Sequence, residues 1–118
     1  MFLLLNHQKL DVYCIAKEFT AECYKFSKHL PADERFAMVS QIRRAALSIN
    51  LNIAEGCSRK SLIERKRYYE IARGSMIEID AAFDVAEKLN YFIDYDHSNL
   101  SNSMLICFKL LSGLIRSS

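Results

Sequence analysis

An all-α protein is predicted: an antiparallel up-down-up-down four-helix bundle, one domain over residues 1–118. Three observations carry this. Apolar residues recur in alternating steps of three and four along four segments, the mark of helices that bury one face. The chain holds one proline and three glycines, which favours long unbroken helices. The segments are joined by short connections, and short connections make successive helices neighbours.

The first helix is expected from about Gln8 to Ser27. Val12, Ala16, Phe19, Cys23, Phe26 and Leu30 form its stripe, with Lys9, Lys17, Glu18, Glu22 and Lys25 off it. His29-Leu30-Pro31-Ala32 turns the chain, because Pro31 lacks an amide hydrogen and disfavours helix at the residue before it. Asp33 and Glu34 then suit the first turn of a second helix, where the dipole favours anions. That helix is expected to reach about Ala54, with Val39, Ile42, Ala46, Ile49 and Ile53 on its seam.

Glu55 to Ser61 is expected to stop one helix and start the next. Gly56 can take the left-handed conformation that ends a helix. Ser61, with Glu64 three residues on, predicts a capping box. The third helix should run to about Asn90 on Tyr69, Ala72, Met76, Ile79, Phe83 and Ala86, with Gly74 as a site of close helix approach. The aromatic connection Asn90–Asp96 should close one end of the core. Asp96 or Ser98 can cap a fourth helix on Leu100, Met104, Cys107, Leu111 and Leu114, and Ser117 and Ser118 should fray.

Tyr13, Met38, Leu47, Ile63, Ile77, Leu105, Ile106 and Leu110 lie outside the stripes. Neighbouring subunits would cover them, which predicts a homo-oligomer. Cys14, Cys23, Cys57 and Cys107 form no CxxC pair and no metal-ligand cluster, so buried thiols in a reducing compartment are expected. No metal and no cofactor are expected. The apolar run Met1–Leu5 is too short for a signal-peptide core, and no stretch approaches membrane-spanning length. A cytoplasmic setting follows.

The net charge is +2, but it is unevenly placed. Arg43 to Arg73 holds eight basic and three acidic residues, a net of +5, and Gly74 to Asp96 holds six acidic and one basic, a net of −5. Arg43, Arg44, Arg59, Lys60, Arg65, Lys66 and Arg67 are the candidates for phosphate contacts with RNA or DNA. Tyr68 and Tyr69 beside them would stack on bases or pack. A solvated helix face balanced by Glu64 and Glu70 explains the same run equally well.

Arg44, Ser48, Asn52 and Glu55 share one face of the second helix, and Ser75 and Glu78 share one on the third. A catalytic cleft with Glu55 or Glu78 as base is one reading. A buried polar network within or between subunits is preferred, because no nucleophile, paired histidine or phosphate-cradling loop accompanies the carboxylates. An enzyme is therefore not expected.

Several pieces carry a family resemblance. Gln41-Ile42-Arg43-Arg44-Ala45-Ala46, Ser48-Ile49, Asn52-Ile53-Ala54-Glu55-Gly56, Arg59, and Ile71-Ala72-Arg73-Gly74-Ser75 with Glu78 resemble the family named for intervening sequences in bacterial large-subunit ribosomal RNA genes. The likeness extends over nearly the whole chain, including Pro31. It departs at Asn50, where the family usually has a proline, so a weaker kink is expected there. The resemblance implies a cytoplasmic bacterial four-helix bundle without enzymatic activity. Relatives include the accessory variability proteins of diversity-generating retroelements, which look like homopentamers that bind nucleic acid and a reverse transcriptase. By that resemblance a pentamer, RNA or DNA, and a protein partner such as a reverse transcriptase are implied, with no membrane. A protein-interaction scaffold or adaptor without a nucleic-acid role is the alternative.

Overall fold

The computed structural model describes residues 2–118; Met1, the first residue of the apolar N-terminal run, lies outside them. The fold is all-α, with four long helices and no strand among the described residues: α1 (Asp11–His29), α2 (Met38–Ser58), α3 (Leu62–Lys88) and α4 (Ser98–Arg116). Short 3-10 turns occupy Asn6–Lys9 and Ala32–Glu34. α1 packs between α2 and α4, α2 packs most closely on α3, and α3 meets α4 along a narrower contact. These neighbour relations are those of a bundle, about 44 Å along its longest axis.

The core is the set of stripes that periodicity picked out. Val12, Ala16, Phe19, Cys23, Phe26 and Leu30 are buried from α1 and its C-terminal cap, and Ile42, Ala46, Ile49 and Ile53 from α2. α3 adds Tyr69, Ala72, Met76, Ile79 and Ala86, while α4 adds Leu100, Cys107, Leu111 and Ile115. Val39, Phe83, Met104 and Leu114 are partly buried against them. Burying each large aliphatic or aromatic side chain contributes about 1.5–3 kcal/mol before ordering costs.

The aromatic connection closes one end. Phe92 stacks on Phe26 at 4.3 Å between ring centroids, and Tyr95 and Phe83 meet Phe26 edge-on at 5.1 and 5.5 Å. α3 ends there because Asn90 takes a left-handed φ of 66°. The Tyr91 amide then donates to the Ala86 carbonyl at 2.9 Å, which satisfies an otherwise orphaned acceptor.

Several sequence expectations need correction. The first helix begins at Asp11 rather than Gln8, which lies in the preceding 3-10 turn. Asp33 and Glu34 do not open the second helix. They sit in the turn Ala32–Glu34, closed by the Glu34 amide on the Pro31 carbonyl at 2.9 Å. Ala37, at φ −120° and ψ −97°, interrupts helical geometry, so α2 starts at Met38. α2 then runs past Ala54 to Ser58.

Neither glycine plays the role expected of it. Gly56 is not left-handed and lies inside α2. A Cβ there would meet Tyr69 Cε1 at 2.7 Å, so Gly56 is a point of close approach between α2 and α3. At Gly74, the expected close approach, a Cβ would meet nothing within 4 Å.

At Asn50, where a proline-type kink was in question, α2 is continuous. The Asn50 side-chain amide donates to Thr20 Oγ1 at 2.5 Å and to the Ala46 carbonyl at 3.2 Å, while Thr20 also donates to that carbonyl. All four cysteines are free; Cys23 and Cys107 are buried, but Cys14 is exposed, against expectation. Burial pushes both buried thiols up, Cys107 to about 12.

Candidate functional site

The connection between α2 and α3 is three residues long, Arg59 to Ser61, and its shape follows from local bonds. The Arg59 amide donates to the Gly56 carbonyl at 3.1 Å, which closes the last turn of α2. Arg59 and Ser61 are both extended, with ψ of 146° and 131°. Ser61 caps α3 as its spacing to Glu64 predicts, its hydroxyl accepting from the Glu64 amide at 3.4 Å. Across the corner, Arg65 Nε donates to the Arg59 carbonyl at 2.5 Å.

Arg59 is built into this corner. Its guanidinium pairs with Glu55, donates to the Tyr68 hydroxyl at 3.1 Å and lies 5.0 Å from the Tyr68 ring centroid. Tyr68 first, and Glu55 after it, hold its charge beyond the usual arginine range. Tyr68 therefore supports Arg59, and Tyr69 is core. The Tyr69 ring is buried away from any base, and the half-buried Tyr68 ring carries Arg59 on it.

The remaining predicted cations separate into groups. Lys60, Lys66 and Arg67 are exposed at the corner and on the first turns of α3, and Arg65 beside them is half-buried. They stand at a helix N-terminus, where the peptide dipoles already give positive potential. Placing cations there costs helix stability and strengthens the pull on an anion.

Arg43 and Arg44 do not belong to the corner. Arg43 turns to α1, donating to Ser27 Oγ at 2.7 Å and lying 5.0 Å from the Tyr24 ring centroid. Arg44 is exposed on α2. It stands 15 residues before Arg59, about 22 Å along the helix axis, beyond the roughly 10 Å screening length of dilute salt.

The expected buried polar network is smaller than predicted. Ser75 donates to Ser48 Oγ at 3.1 Å, and Asn52 donates to the same oxygen at 3.0 Å. These three side chains link α2 to α3. Arg44, Glu55 and Glu78 are exposed instead. Glu55 is held by Arg59, and Glu78 accepts from Gln41 at 3.3 Å. The two carboxylates sit at opposite ends of the seam, and no group of three or more metal-ligating side chains occurs among the described residues.

Beside the corner, the N-terminal segment and α2 enclose an open cleft of about 690 Å³, lined by Leu5, His7, Leu51, Asn52, Lys60 and Arg65 among others. No local pattern in the sequence marks it, because residues 5–7 are distant in the chain and carry no periodic signal. No helix among the described residues is long and apolar enough to cross a membrane.

The family model described as 23S rRNA-intervening sequence protein matches residues 8–113. No curated protein matches the chain.

Proposed function

We propose that this chain, which belongs to the 23S rRNA-intervening sequence protein family, is a non-enzymatic, homo-oligomeric protein of the bacterial cytoplasm that binds RNA or DNA by phosphate contacts. Its helices run up, down, up and down. The cross-pairs Gln41–Glu78, Ser48–Ser75 and Gly56–Tyr69 support this order, since one number rises as the other falls.

One observation carries the binding reading: exposed Lys60, Lys66 and Arg67, beside Arg65, crowd the N-terminus of α3. Cations so placed attract a polyanion without reading its sequence. The roles divide: Lys60, Lys66 and Arg67 make the contacts, Arg65 adds its charge beside them, and Arg59 fixes the corner. Arg43 belongs to the packing of α1 on α2. Repetition around an oligomer multiplies the patch and raises avidity.

A second reading, a scaffold that recruits another protein such as a reverse transcriptase, is favoured by the apolar residues that α4 exposes, Leu105 and Ile106 among them. One titration separates the two. Fluorescence anisotropy with structured RNA and duplex DNA at low salt should give binding that weakens sharply when Lys60, Lys66 and Arg67 become alanine. Absence of binding at low salt, or binding indifferent to the triple substitution, leaves the scaffold reading.

A further inference from the structure

α4 is poor in charge. Lys109 and Arg116 are its only charged residues, yet Leu105, Ile106, Phe108 and Leu110 face outward. Apolar residues grouped outside the buried stripe of a helix in this way are ordinarily covered. Toward α3, Leu105 and Phe108 join Met76, Ile77 and Phe83 around an open groove of about 610 Å³, with Asp80 and Glu87 also in its lining. Such a groove suits one helix face bearing apolar anchors and a positive charge.

α2 presents such a face. Arg44, Leu47 and Leu51, at steps of three and four, are exposed on one side of it, Leu51 at 60%. Arg44 forms no ion pair among the described residues, where Arg59–Glu55 is the pair formed. Asp80 is likewise unpaired there. α2 and α4 are not neighbours within one copy.

We propose that the Arg44–Leu47–Leu51 stripe of one copy seats in the α3–α4 groove of a second copy, with Arg44 against Asp80. This deepens the oligomeric reading above and rests on it. Leu47 and Leu51 cover Ile77, Leu105 and Phe108, and the charge pair favours one register. Stripe and groove are different surfaces, so the contact is heterologous. An open assembly keeps one unused stripe at one end and one unused groove at the other until a ring closes.

The test is sedimentation velocity on the full chain across a concentration series, without nucleic acid, with circular dichroism to verify helicity. Wild type should assemble. Arg44→Glu and Asp80→Lys should each raise the concentration needed for assembly at least tenfold, as should Leu105→Lys. Combining Arg44→Glu with Asp80→Lys should recover most of the loss. If the single variants assemble like wild type, this surface is wrong and the oligomeric reading stands. Loss without recovery in the folded double variant overturns the Arg44–Asp80 pairing. A wild type that stays monomeric overturns the oligomeric reading as well. Assembly of copies that is unaffected by the swaps, together with capture of a basic amphipathic peptide by the groove, assigns the groove to a foreign helix and overturns the proposal.

Discussion

Replacing Gly56 by alanine tests the close packing of α2 on α3. In an ordinary helix interior the change stabilises by about 1 kcal/mol, because alanine loses less backbone entropy than glycine. Gly56 is helical and not left-handed, so no backbone strain opposes the substitution. The new Cβ, however, would lie 2.7 Å from Tyr69 Cε1, 3.0 Å from Tyr69 Cδ1 and 3.1 Å from Tyr68 Cβ. Tyr69 is only 4% exposed and cannot swing away. Overpacking of this kind costs about 1–3 kcal/mol, and the clash here belongs in the upper half of that range. Subtracting the propensity gain leaves a net loss of about 1–2 kcal/mol, or roughly 4–8 °C in Tm for a domain of this size. Gly74→Ala is the control. With nothing within 4 Å of its Cβ, it should gain up to about 1 kcal/mol. Urea and thermal unfolding should be followed by circular dichroism at one fixed protein concentration, since association between copies shifts apparent stability. Gly56→Ala at least as stable as wild type would refute the close approach. Both substitutions destabilising would refute the assignment of different roles to the two glycines.

Three further outcomes follow from the core and the caps. Phe26→Ala empties the aromatic end where Phe83, Phe92 and Tyr95 converge, and should cost about 3–5 kcal/mol in urea unfolding. Asp96 accepts from the Ser98 hydroxyl at 2.6 Å and the Ser98 amide at 3.1 Å, and these bonds, the hydroxyl first, hold its carboxyl below the usual range. A depressed carboxyl stabilises the fold above its unfolded pKa and stops doing so as pH falls through the folded one. Asp96→Ala should thus lower Tm at neutral pH, and the difference should vanish as the solution is acidified through the carboxylate range. A thiol reagent on the native protein should label exposed Cys14 rapidly, while Cys23 and Cys107 react only on unfolding; mass spectrometry of labelled peptides reads this out.

Which parts of the structure were legible beforehand follows from what each signal measures. The four stripes were legible because burial imposes the helical period directly on residue type. The start of α2 was not, because Asp33 and Glu34 suit a helix dipole and a 3-10 turn alike, and the break at Ala37 leaves no compositional trace. The glycines were misassigned because a glycine signals missing bulk without naming what occupies the space; at Gly56 that is Tyr69, thirteen residues on. Asn90, not Gly56, took the left-handed position. Cations adjacent in the basic run do not form one patch on the surface. On a helix Arg43 and Arg44 point about 100° apart. One is held against Tyr24 and Ser27, and the other is exposed. The cleft beside the corner depends on residues far apart in the chain, which no local pattern encodes.

The corner's affinity for polyanions is most directly measured by its salt dependence. Binding of one structured RNA by wild type and by the Lys60→Ala, Lys66→Ala, Arg67→Ala triple variant should be titrated across a salt series. Each lost phosphate contact should reduce the slope of log K against log salt by about 0.7–0.9, so a reduction of about 2–3 is predicted. Equal slopes for the two proteins would contradict the account.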